Sequence, residues 1–135
     1  MTEVEVRLAT VEDLPFVFSC WLRSYRHSSQ FAKKISNATY YKWHHAIIEH
    51  LIGTAGTQVR IIHPTGDTGT ILGFSCISMY DNKPVVHFVY IKKAFREMGL
   101  AKKLIWETGP GYFSHMTENL KLDRHPDFEY NPYLI

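Results

Sequence analysis

The stretch Val85-Val86-His87-Phe88-Val89-Tyr90-Ile91-Lys92-Lys93-Ala94-Phe95-Arg96-Glu97-Met98-Gly99-Leu100-Ala101 decides how the rest of the chain folds. Its first seven residues are β-branched, aromatic or apolar apart from one histidine, the composition of a strand. Lys92-Lys93-Ala94-Phe95 ends that strand. Gly99 then opens a run of good helix formers, Leu100 to Ile105, which Gly109-Pro110-Gly111 stops. A strand that delivers the chain through a short loop into a helix start leaves backbone amides unpaired, with the helix dipole behind them, and such a place binds anions. Gly99 lets the backbone approach a phosphate closely, Ala101 is small enough to do the same, and Arg96 adds positive charge.

Upstream, Gln58–His63 is strand-like, the turn Pro64-Thr65-Gly66-Asp67-Thr68-Gly69 follows, and Thr70–Tyr80 reads as a second strand. A further turn at Asp81-Asn82-Lys83-Pro84 leads into Val85–Ile91, which predicts three consecutive antiparallel strands. Before them, Val4–Ala9 alternates as a strand and Thr10 is placed to cap a helix. Leu14, Val17, Phe18, Trp21, Leu22 and Tyr25 then recur at helical spacing to about Arg26. Residues 27–37 carry no pattern. Tyr40, Trp43, His44, Ile47, Ile48 and Leu51 mark a second amphipathic helix, ended by Gly53. Downstream, Tyr112–Met116 reads as a strand, whereas Thr117–Leu122 fits a short capped helix or a strand equally. The aromatic tail from Asp127 to Ile135 is expected to dock on the body.

The order strand, two helices, three strands, loop, helix, strand, with Arg96-Glu97-Met98-Gly99-Leu100-Ala101 after the fourth strand, resembles the GNAT (GCN5-related N-acetyltransferase) family. The resemblance covers residues 4–116. The loop is similar to the family's Arg/Gln-x-x-Gly-x-Gly/Ala motif. It implies an α/β fold in which a mixed, mostly antiparallel central sheet is flanked by helices. It also implies that Arg96, Glu97, Met98, Gly99, Leu100 and Ala101 hold the coenzyme A pyrophosphate, with Lys102 at the helix edge. Val89 and Ile91 match the family positions whose backbone pairs with the pantetheine arm on a splayed fourth strand. Typical members carry a further helix and two strands at the C-terminal end. This chain reaches Ile135 with less, so its fold is expected to be truncated there, the acceptor side being abbreviated or completed by a second copy as a homodimer. The finish Asn131-Pro132-Tyr133 is similar to that of compact phage-encoded members.

Acetyl transfer to an amine calls for a neutral nucleophile, donors for the oxyanion and an acid for the leaving thiolate. His87, on the fourth strand in alternation with Val85, Val89 and Ile91, is the candidate base; a hydrogen-bonded core histidine is the structural alternative. The family often places an acidic Tyr after its fifth strand, yet Thr117–Leu122 contains none. Tyr130, beside the turn at Asn131-Pro132, ranks ahead of Tyr112 and Tyr133 as a replacement, and Ser114 on the fifth strand or a water is a further choice. His44-His45 with Glu49 and His50 lacks the His-Glu-x-x-His order of a zinc site, so no metal is expected. The family's acceptor pocket lies between the first two helices, which directs attention to Tyr25, Arg26 and Phe31.

Composition bounds the rest. The 135 residues, 45% hydrophobic and 21% charged, fit one domain spanning 1–135. A net charge of +2, scattered along the chain, argues against nucleic acid as the partner. No apolar run approaches the roughly 20 residues needed to cross a bilayer, so no membrane partner is expected. Cys20 and Cys76 sit among apolar residues and read as reduced core thiols, and with no export signal at the N-terminus they point to the cytoplasm. The expected function is an acetyl-CoA-dependent N-acetyltransferase acting on a primary amine of a small molecule or protein. The alternative is a catalytically silent binding or inhibitory module that keeps coenzyme A.

Overall fold

The computed structural model describes residues 3–118 and 120–135; Asn119, within the ambiguous Thr117–Leu122 segment, lies outside the described residues. The alternating residues Val4–Leu8 form β1, and Asp13 fastens this strand to the first helix. The Arg7 guanidinium donates to both carboxylate oxygens of Asp13 at 2.7 and 3.0 Å, and the Thr10 amide donates to Oδ2 at 2.7 Å. These donors hold the Asp13 carboxyl down to about 2. α1 then runs Leu14–Ser28 and buries Val17, Cys20, Trp21, Leu22 and Tyr25, the face predicted from their spacing.

The unpatterned residues 27–37 contain a further helix, α2, Gln30–Lys33, before α3, Asn37–Gly53. Four residues are too few to show a helical period, so only the caps signal it. Ser29 Oγ accepts from the Ala32 amide at 3.2 Å, and Ser36 Oγ from the Thr39 amide at 3.3 Å.

The three central strands are β2 (Gln58–Pro64), β3 (Gly73–Tyr80) and β4 (Lys83–Ile91), antiparallel as expected. β3 and β4 are joined by Asp81 and Asn82 at φ 51° and 61°, the left-handed pair of a two-residue type I′ hairpin. β3 starts later than Thr70, because the Thr70 hydroxyl turns back to Asp67 Oδ2 at 2.6 Å and holds that end in the turn. The register slips once. Cys76 faces Phe88, but Ile77 faces Val86, so His87 is the extra residue of a β-bulge. The simple alternation of His87 with Val85 and Val89 is thereby broken, and Val86 shares a hydrophobic cluster with Val89.

α4 is only Leu100–Leu104, shorter than the predicted run to Ile105 and beyond. Tertiary partners end it. Arg60 of β2, 3% exposed, donates to the Leu104 carbonyl at 3.0 Å and to Glu107 Oε1 at 2.9 Å, and its guanidinium lies 3.5 Å from the centre of the Trp106 ring. The Ser75 hydroxyl reaches the same carbonyl at 3.1 Å. β5 is Gly111–Phe113 and β6 is Phe128–Tyr130, each parallel to the strand before it in a sheet of order β1-β2-β3-β4-β5-β6. β5 thus stops before Ser114, and the tail docks as a sixth strand. A Cβ on Gly111 would lie 2.6 Å from the Phe128 ring and 2.8 Å from the Pro84 carbonyl, so glycine is what lets β5 fit between its neighbours.

The sheet is mixed, with its antiparallel part β1–β4, and both faces are covered. α1, α2 and α3 pack on Val59, Ile61, Phe74, Cys76 and Phe88; α4 packs on Ile62 and Leu72 with Val89 and Ile91 beneath it. Both cysteines are free and buried. Among the described residues no helix is long and apolar enough to cross a membrane.

Candidate active site

Two features meet at the end of β4. The first is the loop. Glu97 and Gly99 adopt left-handed conformations at φ 65° and 77°, and among the described residues the amides of Glu97, Met98 and Gly99 make no hydrogen bond. Consecutive free amides bent in this way form an anion nest. Arg96 does not reach over the nest; its Nε donates to the Ile91 carbonyl at 2.8 Å, which braces the loop against the strand. Leu100 is the buried anchor of the loop, whereas Met98, Ala101 and Lys102 are exposed.

The second feature is a gap in the sheet. β5 pairs with β4 only at Val85 and Val86, and the Ser114 amide makes the last bond, 3.2 Å to the Val86 carbonyl. The chain then leaves toward α1, where the Glu118 amide donates to the Ser28 carbonyl at 2.8 Å. β4 continues to Ile91 paired with β3 alone. Among the described residues its edge from Phe88 to Ile91 has no strand partner on that side, so the backbone groups of Val89 and the Ile91 amide are free to pair with an extended ligand, while the Ile91 carbonyl is held by Arg96.

His87, Ser114 and their neighbours occupy the apex of this slot. His87 is 1% exposed, with Nδ1 at 2.6 Å from Ser114 Oγ and Nε2 at 2.6 Å from Ser78 Oγ. Ser114 Oγ is also 2.9 Å from His115 Nδ1, and His115 Nε2 is 3.0 Å from His44 Nε2 on α3. Tyr25 stacks on His44 at 4.8 Å and meets His115 edge-on at 4.8 Å. Burial lowers His87 and His44 to about 4 and His115 well below the usual histidine range, so all three rings are neutral at pH 7. A neutral imidazole can accept on one nitrogen while donating on the other.

The structure therefore brings His87 and Ser114 together and adds Ser78, His115 and His44. Sequence reasoning missed these three as a group. His44 was legible as a histidine on an apolar helix face, but nothing in spacing ties positions 44, 78, 87 and 115 to one point. Tyr130 lies across from Phe113 in β6, close enough to Tyr25 to act on its ionisation, and burial raises its own hydroxyl. Among the described residues it makes no hydrogen bond to the cluster. Tyr25 is buried, Phe31 is exposed, and Arg26 donates to the Ala32 carbonyl at 2.9 Å while facing the Tyr40 ring. A groove of about 500 Å³ borders the loop on its β1 side, but Glu3 and Glu5 line it and the histidine cluster does not, so it suits neither a phosphate nor the chemistry. Among the described residues no group of three or more His, Cys, Asp or Glu could hold a metal ion.

Comparison with known proteins follows the same geometry. The model of the acetyltransferase (GNAT) family matches residues 16–108. A Pyrococcus furiosus chain assigned as an acetyl transferase is 16% identical, with a TM-score of 0.61 over 76% of this chain and 69% of that one. The GCN5-related N-acetyltransferase of Ralstonia eutropha JMP134 is 14% identical, with a TM-score of 0.56 over 76% and 71%. The PaiA N-acetyltransferase of Thermoplasma acidophilum, solved in complex with coenzyme A, is 17% identical, with a TM-score of 0.51 over 76% and 67%. At these identities the likeness is one of fold. No curated protein matches the sequence.

Proposed function

Because the chain belongs to the acetyltransferase (GNAT) family, we propose that residues 1–135 form one acyltransferase domain that moves the acetyl group of acetyl-CoA to a primary amine of a small molecule or protein. The observation that carries this reading is the slot itself: among the described residues, a strand edge without a strand partner from Phe88 to Ile91, ending at the free amides of residues 97–99. The amides and the left-handed turn at Gly99 suit a pyrophosphate, and the open edge at Val89 and Ile91 suits the amide-bearing pantetheine arm. Acetyl-CoA supplies an activated thioester carbonyl. Lys102, in the first turn of α4, adds charge at the same mouth.

His87, Ser114 and their partners lie where a thioester held along β4 would end. His87 has no direct access to solvent, so it acts through a hydroxyl: Ser114 takes the acceptor proton as it gives its own to the ring. Most of the acceleration then comes from holding amine and thioester together in a dry apex. Tyr130 is retained as a candidate acid for the thiolate, beside Ser114, on the strength of its half-buried place near Tyr25.

A silent module that keeps coenzyme A is the second reading, favoured by how deeply the histidines are buried. Calorimetry with acetyl-CoA beside a thiol-release assay over a panel of primary amines separates the two. Binding with amine-dependent thiol release is the expected result; binding without release with any amine would favour the silent module, and no binding would sink both.

A further inference from the structure

The hydrogen bonds at the apex form one unbranched chain, Ser78, His87, Ser114, His115, His44, with links of 2.6, 2.6, 2.9 and 3.0 Å. Each link holds one proton. Ser114 is 4% exposed, and among the described residues its hydroxyl has only the two rings as partners, so its single proton points to one of them. If it points to His87 Nδ1, His115 must present Nδ1–H to Ser114, His44 must then donate through Nε2, and His87 donates its Nε2–H to Ser78. If it points to His115 Nδ1, every one of these assignments reverses. With neutral rings there are thus two complete arrangements, related by carrying each proton across its own link. A dry interior makes a half-satisfied arrangement costly, which couples the links.

We propose that this chain is a single reversible proton wire, in which Ser114 receives the acceptor's proton at the slot and the wire discharges it at either Ser78 or His44. The proposal rests on the acetyltransferase reading. Both ends touch solvent: Ser78 is half-buried, and His44 is 7% exposed. As the acceptor nitrogen bonds to the thioester carbon and the carbon–sulfur bond breaks with its electron pair on sulfur, the nitrogen's proton passes to Ser114 Oγ. Ser114 gives its own proton to the ring it faces. That ring releases the proton on its other nitrogen to the next group, and the terminal group passes one proton to water. The thiolate takes its proton from a separate acid, Tyr130 or water, outside the wire. No ring needs to hold a charge, which accords with their lowered basicity. His115 and His44 are positioning residues here: they set which way the Ser114 hydroxyl donates. Tyr25 and Tyr40 sandwich His44, and Arg26 faces Tyr40 from beyond, so the only histidine partner that His44 has along the wire is His115.

The test is the tautomer state of each ring, read by ¹⁵N NMR of the histidine side chains at pH 7 in the whole protein. Removing one end leaves that ring without a partner for its outer nitrogen, and an unpaired acceptor is cheaper than an unpaired N–H. Ser78→Ala is therefore expected to lock His87 as Nδ1–H and, across Ser114, His115 as Nε2–H. His44→Phe, which keeps an aromatic ring between Tyr25 and Tyr40, is expected to lock His115 as Nδ1–H and His87 as Nε2–H. In a Ser114→Ala background, Ser78→Ala should no longer change His115. Effects confined to the ring next to each substitution would overturn the wire, as would any ring found charged at pH 7. Calorimetry of the same samples with acetyl-CoA keeps the two ideas apart. Coupled tautomers without acetyl-CoA binding would overturn the wire's role in acetyl transfer and the functional reading with it, whereas binding with uncoupled rings would overturn the wire alone.

Discussion

Gly99 carries the most weight of any single residue. Its φ of 77° is a conformation that an L side chain adopts only at a cost of order 1 kcal/mol or more, asparagine being the mildest exception. Apart from its chain neighbours, no atom of the described residues lies within 4 Å of a Cβ built there, so a substitution meets strain rather than a clash. Gly99→Asn is expected to keep acetyl-CoA binding within a few-fold. Gly99→Glu should weaken it at least about 10-fold, since its carboxylate opposes the pyrophosphate; equal affinity of the two variants in calorimetry would remove the loop from the site. Ser114 is the second decisive residue. Ser114→Ala is expected to lower kcat about 10- to 100-fold with little change in the KM for acetyl-CoA, because it removes the proton path and not the cradle. The motif around Gly99 was legible in sequence, as was His87. Ser78 and His115 were not, because a serine and a histidine in unremarkable contexts acquire meaning only from what they face.

Among the elements, α4 shows how tertiary contacts override local preference. Leu100 to Ile105 are good helix formers, yet the helix stops at Leu104 because Arg60 and Ser75 claim its carbonyl and Glu107 is drawn to the same guanidinium. Arg60→Ala would leave the part-buried Glu107 carboxylate without its partner and the Leu104 carbonyl with Ser75 as its remaining donor, at a cost of about 1–3 kcal/mol. Urea denaturation should show that loss as a lower midpoint with unchanged slope; a loss under about 1 kcal/mol would mean that solvent replaces Arg60 and that α4 is held by Leu100 and Leu104 alone. The hairpin between β3 and β4 behaves in the opposite way, since Asp81-Asn82 suits the left-handed turn it makes and the local signal was sufficient. The bulge at His87 lies between these cases. Alternation predicted one face for His87, Val85 and Val89, and only the pairing of β3 with β4 reveals the slipped register that turns the ring to Ser114.

Three buried neutral histidines make the stability of the whole molecule depend on pH with a definite sign. His44 and His87 have folded-state values of about 4 against 6.5 for a free histidine, so on acidification the unfolded chain takes up protons first. The contribution of these two rings is full above pH 6.5, falls as the pH drops toward 4 and levels off below that, each accounting for about 3 kcal/mol at the end of the window; below it the depressed Asp13 carboxyl continues the loss. Thermal unfolding between pH 7.5 and 4.5 should trace this fall, and His44→Phe should make it shallower. A flat profile would show that the rings are solvated. What the sequence determined by itself was the order of the elements, the antiparallel core and the anion-binding loop, because periodicity, turn chemistry and a glycine before a helix are local signals. What only the tertiary structure decided was the length of α4, the parallel docking of the tail through Gly111, and the union of residues 44, 78, 87, 114 and 115. Those depend on which distant groups compete for the same backbone atoms and the same buried space, and no spacing along the chain records that competition.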